Sequence, residues 1–176
     1  KSMKENEIKI EELLYYIFLL LMMGAKGIGL TGGQKVFTLC TVIAYCLIGI
    51  KMLITEYSIK EWCINIGLLL MAILIRCTSG ETAAIAAVLL IIGMKNISLA
   101  KAMKVAFFIW GGTFVFSIIR GLLGLGDGVI VVHQKLGLGP IIRYSLGYTH
   151  PNVLHITYFI LVMLFLYIFQ FNSKKL

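Results

Sequence analysis

Residues 36–54 read VFTLCTVIAYCLIGIKMLI, nineteen residues with a single charge, Lys51, close to the end. A helix of that length at about 1.5 Å per residue covers close to the roughly 30 Å thickness of a bilayer's hydrocarbon core. It has no polar face for water, so the stretch predicts a membrane-spanning helix with Lys51 snorkelling from its end. The whole chain agrees with this stretch. Its 176 residues are 60% hydrophobic and 14% charged, with mean hydropathy +0.96, against about 45–50% apolar and about 25% charged in soluble domains. A short soluble fold has too little interior for that much apolar side chain, and disordered chains are poor in these residue types. The surplus points to lipid and to a polytopic membrane protein.

Outward from residues 36–54, five further apolar runs predict helices over residues 13–30, 59–75, 81–94, 105–119 and 153–171. The expectation is an all-α, polytopic membrane protein with about six transmembrane helices, forming one transmembrane domain over residues 1–176. The first run is weakened by Lys26 and three glycines. The third and fourth have short clean cores around the connection Arg76-Cys-Thr-Ser-Gly80, so a re-entrant hairpin is the alternative to two full crossings. Ala83, Ala84, Ala86, Ala87 and Gly93 give the fourth helix a small face suited to close packing. Glu81 and Arg76 flank the turn and read most plainly as a pair across it.

Sixteen Lys and Arg against eight Asp and Glu give +8. There is no basic run with interleaved aromatics, so nucleic acid is not the expected partner. Cations standing singly between apolar runs instead set topology and meet anionic headgroups. With the N-terminus in the cytoplasm, six crossings return the C-terminus there, so both termini are expected inside a cytoplasmic (inner) membrane. The inner set is then Lys1, Lys4, Lys9, Lys51, Lys60, Lys95, Lys101, Lys104, Lys174 and Lys175. The outer set is Lys26, Lys35, Arg76, Arg120, Lys135 and Arg143. All three arginines fall outside, and arginine's planar fork suits bidentate capture of phosphate or carboxylate.

Cys40, Cys46, Cys63 and Cys77 form no CxxC pair and read as small hydrophobes. His133, His150 and His155 lack ligand spacing, so no metal or other cofactor is expected. GLTGGQK at residues 29–35 is not a phosphate-binding P-loop. GLGDG at residues 124–128 reads as a flexible turn. Ser145 and His150 lack the third group of a hydrolase triad.

The polar chemistry concentrates between helices five and six, in GLLGLGDGVIVVHQKLGLGPIIRYSLGYTHP, residues 121–151. Unstructured loops beyond about 12–15 residues are usually functional or disordered. The apolar residues 129–132 and 141–142 would want burial, which predicts a long extracytoplasmic loop folded as a cap or partly embedded in the membrane. Pro151 fits the first turn of the sixth helix, with Thr149 or His150 at its cap. A helix start beside Arg143 makes either an anion cradle or simply a capped helix beside a snorkelling arginine.

The decapeptide Arg143-Tyr-Ser-Leu-Gly-Tyr-Thr-His-Pro-Asn152 resembles the RxSLGFxHPN signature of bacterial polysaccharide repeat-unit polymerases (the Wzy type, related to O-antigen ligases). Tyr148 stands where phenylalanine is common. Thr78-Ser-Gly-Glu81, followed by an apolar helix and then Lys95-Asn-Ile-Ser98 with Lys101, is similar to the same family's order of features. The resemblance spans about residues 76–158. It implies an inverting membrane glycosyltransferase that joins undecaprenyl-pyrophosphate-linked repeat units of capsule, exopolysaccharide or O-antigen at the outer face, without nucleotide sugar. By motif, Arg143, His150 and Asn152 become expected substrate or pyrophosphate contacts; Arg76 and Arg120 join them because of their side. No catalytic residue is assigned. Family members have ten or more helices and a further large outer loop, so the chain reads as an N-terminal half. The partners implied are the lipid-linked glycan, the bilayer, and a chain-length regulator or a second half-polypeptide. The competing expectation is a non-catalytic membrane subunit or remnant that binds lipid carrier or partner helices. A transporter ranks last, since only Lys26 comes near the interior of a helix.

Overall fold

The computed structural model describes residues 9–30, 32–125, 129–135 and 139–173. Asp127 and most of the glycine turn at residues 124–128 therefore lie outside the described residues. The element order is α1 (Ile10–Gly27), α2 (Lys35–Ile54), α3 (Ile59–Ser79), α4 (Ala83–Gly93), α5 (Leu99–Leu122), β1 (Ile130–Lys135), β2 (Gly139–Tyr144) and α6 (Pro151–Ser173). Each helix follows an apolar run, and most ends are set by local chemistry. Ser58 and Glu61 cap α3 reciprocally, the Glu61 carboxylate accepting from the Ser58 N–H at 2.7 Å. Gly80 ends α3 at φ +77°, a left-handed cap that a side chain would oppose.

Four helices are long and apolar enough to cross a membrane: α2, α3, α5 and α6. The expected six helices are present among the described residues, and these four meet the length and apolarity of a crossing. α1 contains Glu11, Glu12 and Lys26 within its 18 residues. α4 has 11 residues, which at about 1.5 Å each reach only about half of the hydrocarbon thickness. α3 runs to Ser79 rather than residue 75, and α5 starts at Leu99 rather than 105.

The helices alternate in direction, and each packs mainly on one or two neighbours: α3 on α4, α4 on α2, α2 on α1, α1 on α5 and α5 on α6. The buried core gathers Tyr15, Phe18 and Leu19 of α1, Ala44 and Ile48 of α2, Leu89 and Ile92 of α4, and Ala102 of α5. The outer surface carries large apolar side chains throughout, such as Leu53, Ile59 and Phe108, as expected of helices facing lipid. Contacts between helices rely on close approach and on side chains donating to main-chain carbonyls. Gly27 is such an approach point, because a β-carbon there would overlap Thr113 of α5. The Ser117 hydroxyl donates to the Gly27 carbonyl at 3.1 Å, and Trp110 Nε1 donates to the Thr157 carbonyl of α6 at 3.1 Å.

Two expectations are corrected. Lys51 does not snorkel. It is fully enclosed, and its Nζ donates to the Lys95 carbonyl at 2.9 Å and to Thr55 Oγ1 at 3.3 Å. The α4–α5 turn lies over the end of α2 and supplies, through the Lys95 carbonyl, the acceptor that water would otherwise provide. The long loop, for its part, contains the one departure from an all-helical chain among the described residues. β1 and β2 form an antiparallel hairpin in which Ile130 faces Tyr144, Val132 faces Ile142 and Val131 faces Arg143.

Candidate functional site at the hairpin end

The last turns of α1, α3 and α5 and the first turns of α2, α4 and α6 share one end of the bundle with the hairpin. The decapeptide resembling the polymerase signature organises this end. Its centre is a tight turn: the Tyr148 N–H donates to the Ser145 carbonyl at 3.0 Å, and both intervening residues have positive φ, Leu146 at 46° and Gly147 at 88°. Gly147 is required twice over. Its φ disfavours a side chain, and a β-carbon would run into the Ser117 carbonyl oxygen of α5. On the facing helix, a β-carbon at Gly121 would collide with the Gly147 main chain. Ser145 and Tyr148 are buried on either side of this crossing, with the Tyr148 ring 6.3 Å from that of Phe114. Burial pushes the pKa of the Tyr148 hydroxyl upward, against smaller opposing effects of the Ser117 and Thr157 hydroxyls and the Arg120 charge.

The middle of the motif is thus a seat, and the residues around it carry the polar chemistry. Arg120, in the last turn of α5, reaches back to the turn, its Nη2 donating to the Gly147 carbonyl at 3.3 Å. Its Nε is buried without a hydrogen-bond partner among the described residues. The guanidinium also lies against Gly29, where a β-carbon would stand 3.6 Å from Nη2. Gly29 in turn helps line a cleft of about 290 Å³, with Lys26, Leu30, Phe37, Thr82, Thr149 and Val153 among its walls. That volume is near the lower end of ligand pockets, about 300 Å³. The cleft joins the ends of α1, α2, α4 and α6, and Thr149 belongs to the decapeptide.

His150 is the residue before α6. Its Nδ1 accepts from the Asn152 N–H at 3.1 Å, so it caps the helix, with Pro151 first in the helix as expected. This role needs the unprotonated Nδ1. Asn152 is exposed in the first turn. Arg143 sits on β2, half-buried and opposite Val131, and its side chain makes no hydrogen bond or ion pair among the described residues. Arg76 is separate from these groups. It donates from Nη1 to the Gly80 carbonyl, so it closes its own helix end instead of pairing with Glu81. The α3–α4 turn contributes Thr82, not Arg76, to the cleft.

Sequence reasoning gathered Arg120, Arg143 and His150 at this end but did not single out Lys26 and Thr82 as site residues. In the sequence Lys26 stands out as an outer cation and a weakness of the first helix; its place one turn before the glycines that open the cleft is the further signal. The stretch Lys95–Lys101, which the family resemblance sets beside the decapeptide, lies at the opposite end. There Lys95 Nζ is 2.6 Å from Glu61 and 4.5 Å from the centre of the Tyr57 ring, Asn96 bonds Glu11, and Lys101 faces Glu12 at 3.7 Å. These contacts bind helix ends to one another.

No cluster of His, Cys, Asp and Glu that could hold a metal ion occurs among the described residues. No protein-family model, curated protein or solved structure matches this chain.

Proposed function

We propose that the chain is all or part of a polysaccharide repeat-unit polymerase of the cytoplasmic membrane, acting on undecaprenyl-pyrophosphate-linked glycan at the outer face. The observation that carries this reading is the Arg143–Asn152 decapeptide, with the cation-rich surroundings of its turn in support. In such a transfer an acceptor sugar hydroxyl attacks the anomeric carbon of the growing glycan. The bond from that carbon to the pyrophosphate oxygen breaks, the hydroxyl proton is released, and the carrier leaves with the electron pair. Negative charge therefore gathers on the pyrophosphate in the transition state. Arg143 and Arg120, with Lys26 of the cleft wall, would stabilise that charge more than the ground state, which is how an electrostatic clamp accelerates a reaction.

In this reading the hairpin end faces outward and both termini lie in the cytoplasm. The test is the repeat-number distribution of the surface polysaccharide in the host cell carrying Arg143→Ala in its own gene. Loss of chains longer than one repeat is expected; a distribution equal to the parent's contradicts the assignment. Arg143→Lys should also fall well short of the parent, since a lysine keeps the charge but not the fork.

One observation favours a second reading. Among the described residues the cleft walls carry Lys26, Thr82 and Thr149 and no carboxylate, so those residues offer no general acid–base pair. A non-catalytic subunit that holds the lipid carrier for another polypeptide would need only the cations. It predicts that the purified chain binds the carrier, that Arg143→Ala weakens this binding, and that the chain alone joins no repeat units.

A further inference from the structure

The hairpin turns its side chains the wrong way for a protein bathed in water. Cross-strand partners share a face, so Ile130 and Tyr144, Val132 and Ile142, and Gln134 and Pro140 stand together on one side. That side is the exposed one: Ile130 is 49%, Val132 58%, Ile142 63% and Tyr144 63% accessible. On the other side Val131, Ile141 and Arg143 are half-buried. The alternation of two is regular, but the apolar set points outward.

We propose that this face lies on the membrane surface, with Ile130, Val132, Ile142 and Tyr144 entering the boundary between headgroups and acyl chains. Three observations select lipid as the occupant. First, the hairpin cannot leave the surface. Its base is closed by the Ser145 and Leu146 N–H groups donating to the Val129 carbonyl, at 2.9 and 3.2 Å, and Gly147 is seated against Gly121 in the last turn of α5. α5 and α6 are two of the helices long and apolar enough to span. Second, the end of α5, whose last turn seats the hairpin's base through Gly121 and Gly147, is itself apolar and exposed, Leu122, Leu123 and Leu125 each being about two-thirds accessible or more. Third, residues 129–144 contain no acidic residue, so no negative charge opposes their approach to anionic headgroups. A tyrosine at the rim of such a face suits the interface, where its ring is shielded and its hydroxyl stays wet. Elements of this kind enter about 5–10 Å below the headgroup level. The inference needs a bilayer but not the polymerase assignment, and it puts Arg143, on the opposite face, above the membrane plane.

The test places a nitroxide label, one position at a time, at residues 130, 131, 132, 141, 142, 143 and 144 of the full chain. Cys40, Cys46, Cys63 and Cys77 are replaced by alanine, and the protein is reconstituted in vesicles containing anionic lipid. Collision with oxygen, which concentrates in the bilayer, is compared with collision with a water-soluble nickel chelate. The oxygen-to-nickel ratio should be several-fold higher at 130, 132, 142 and 144 than at 131, 141 and 143. Uniformly high nickel access would put the hairpin in water and overturn the proposal. Low access to both reagents at the four apolar positions would show a protein partner covering that face, and would also overturn it. As a check independent of the labels, the added emission of Tyr144→Trp should be quenched by lipids brominated near the headgroup. An unquenched signal contradicts the proposal.

Discussion

At the end of the bundle where α3 begins, Lys51 is enclosed by a carbonyl and a hydroxyl, Lys95 meets Glu61, and Lys101 meets Glu12. At the hairpin end, Lys26, Arg76, Arg120 and Arg143 meet no carboxylate among the described residues. Both ends are rich in cations, so net charge does not distinguish them. What differs is access and pairing: Lys95 and Lys101 meet carboxylates and Lys51, held by a carbonyl and a hydroxyl, is fully enclosed, whereas no cation of the hairpin end meets a carboxylate among the described residues. A cation paired internally holds helices together and has little left for a ligand. A cation left with carbonyls and an open cleft retains its attraction for an anion, and its burial beside low-dielectric walls strengthens that attraction. The closed end is therefore architecture, and in the proposed function the open end is the one that holds the anionic substrate.

The sharpest way to break this contrast is to remove one cation from each end. Arg120→Ala should reduce polymer formation in the host by about 100-fold or more, the usual effect of losing a group that stabilises transition-state charge. Lys51→Met should leave the polymer essentially unchanged. Equal loss in both variants would mean that the two ends differ in appearance only. Next in size is the seat of the motif. Gly147→Ala forces a side chain into left-handed backbone and against the Ser117 carbonyl, and should lower stability by about 3 kcal/mol or more, read by thermal unfolding in detergent micelles. Lys51→Met is the third measurement, this time of stability. Because a buried ammonium carries a large desolvation cost, an apolar replacement of similar length should change unfolding by no more than about 1 kcal/mol. The smallest effect belongs to Lys101→Ala at the closed end. Its pair with Glu12 is largely exposed on the lysine side, so the loss should stay below about 0.5 kcal/mol.

The ease of reading the sequence differed from region to region for physical reasons. α2 was bounded to within one residue because its apolar run is uniform and begins just after a Gly-Gly-Gln segment. α5 was begun six residues late. Lys101 and Lys104 suggest a loop when read singly, but they lie on a helix whose first turns project beyond the apolar core toward Glu12. Lys51 illustrates a limit of local reading. A lysine near the end of a span ordinarily snorkels, and only the folded chain brings the Lys95 carbonyl over it. The hairpin was hidden for another reason. Ile-Val-Val shows no alternation of polarity because one of its faces is apolar and exposed, and Pro140 argues against a strand except at an edge, which both strands of a lone hairpin are. Of the residues gathered at the hairpin end, Arg120, Arg143 and His150 are legible from side and motif. Lys26 and Thr82 enter only through the meeting of four helix ends, which no single stretch encodes.

The central claim is that the unpaired cations of the hairpin end hold a lipid-linked pyrophosphate. It is tested most directly by binding of undecaprenyl pyrophosphate to the full chain in nanodiscs, compared among the parent, Arg120→Ala, Arg143→Ala and Lys51→Met. Loss of one charged hydrogen-bonding contact should weaken binding by about tenfold or more in each arginine variant, with Lys51→Met indistinguishable from the parent. Equal affinity in all four proteins would contradict the account.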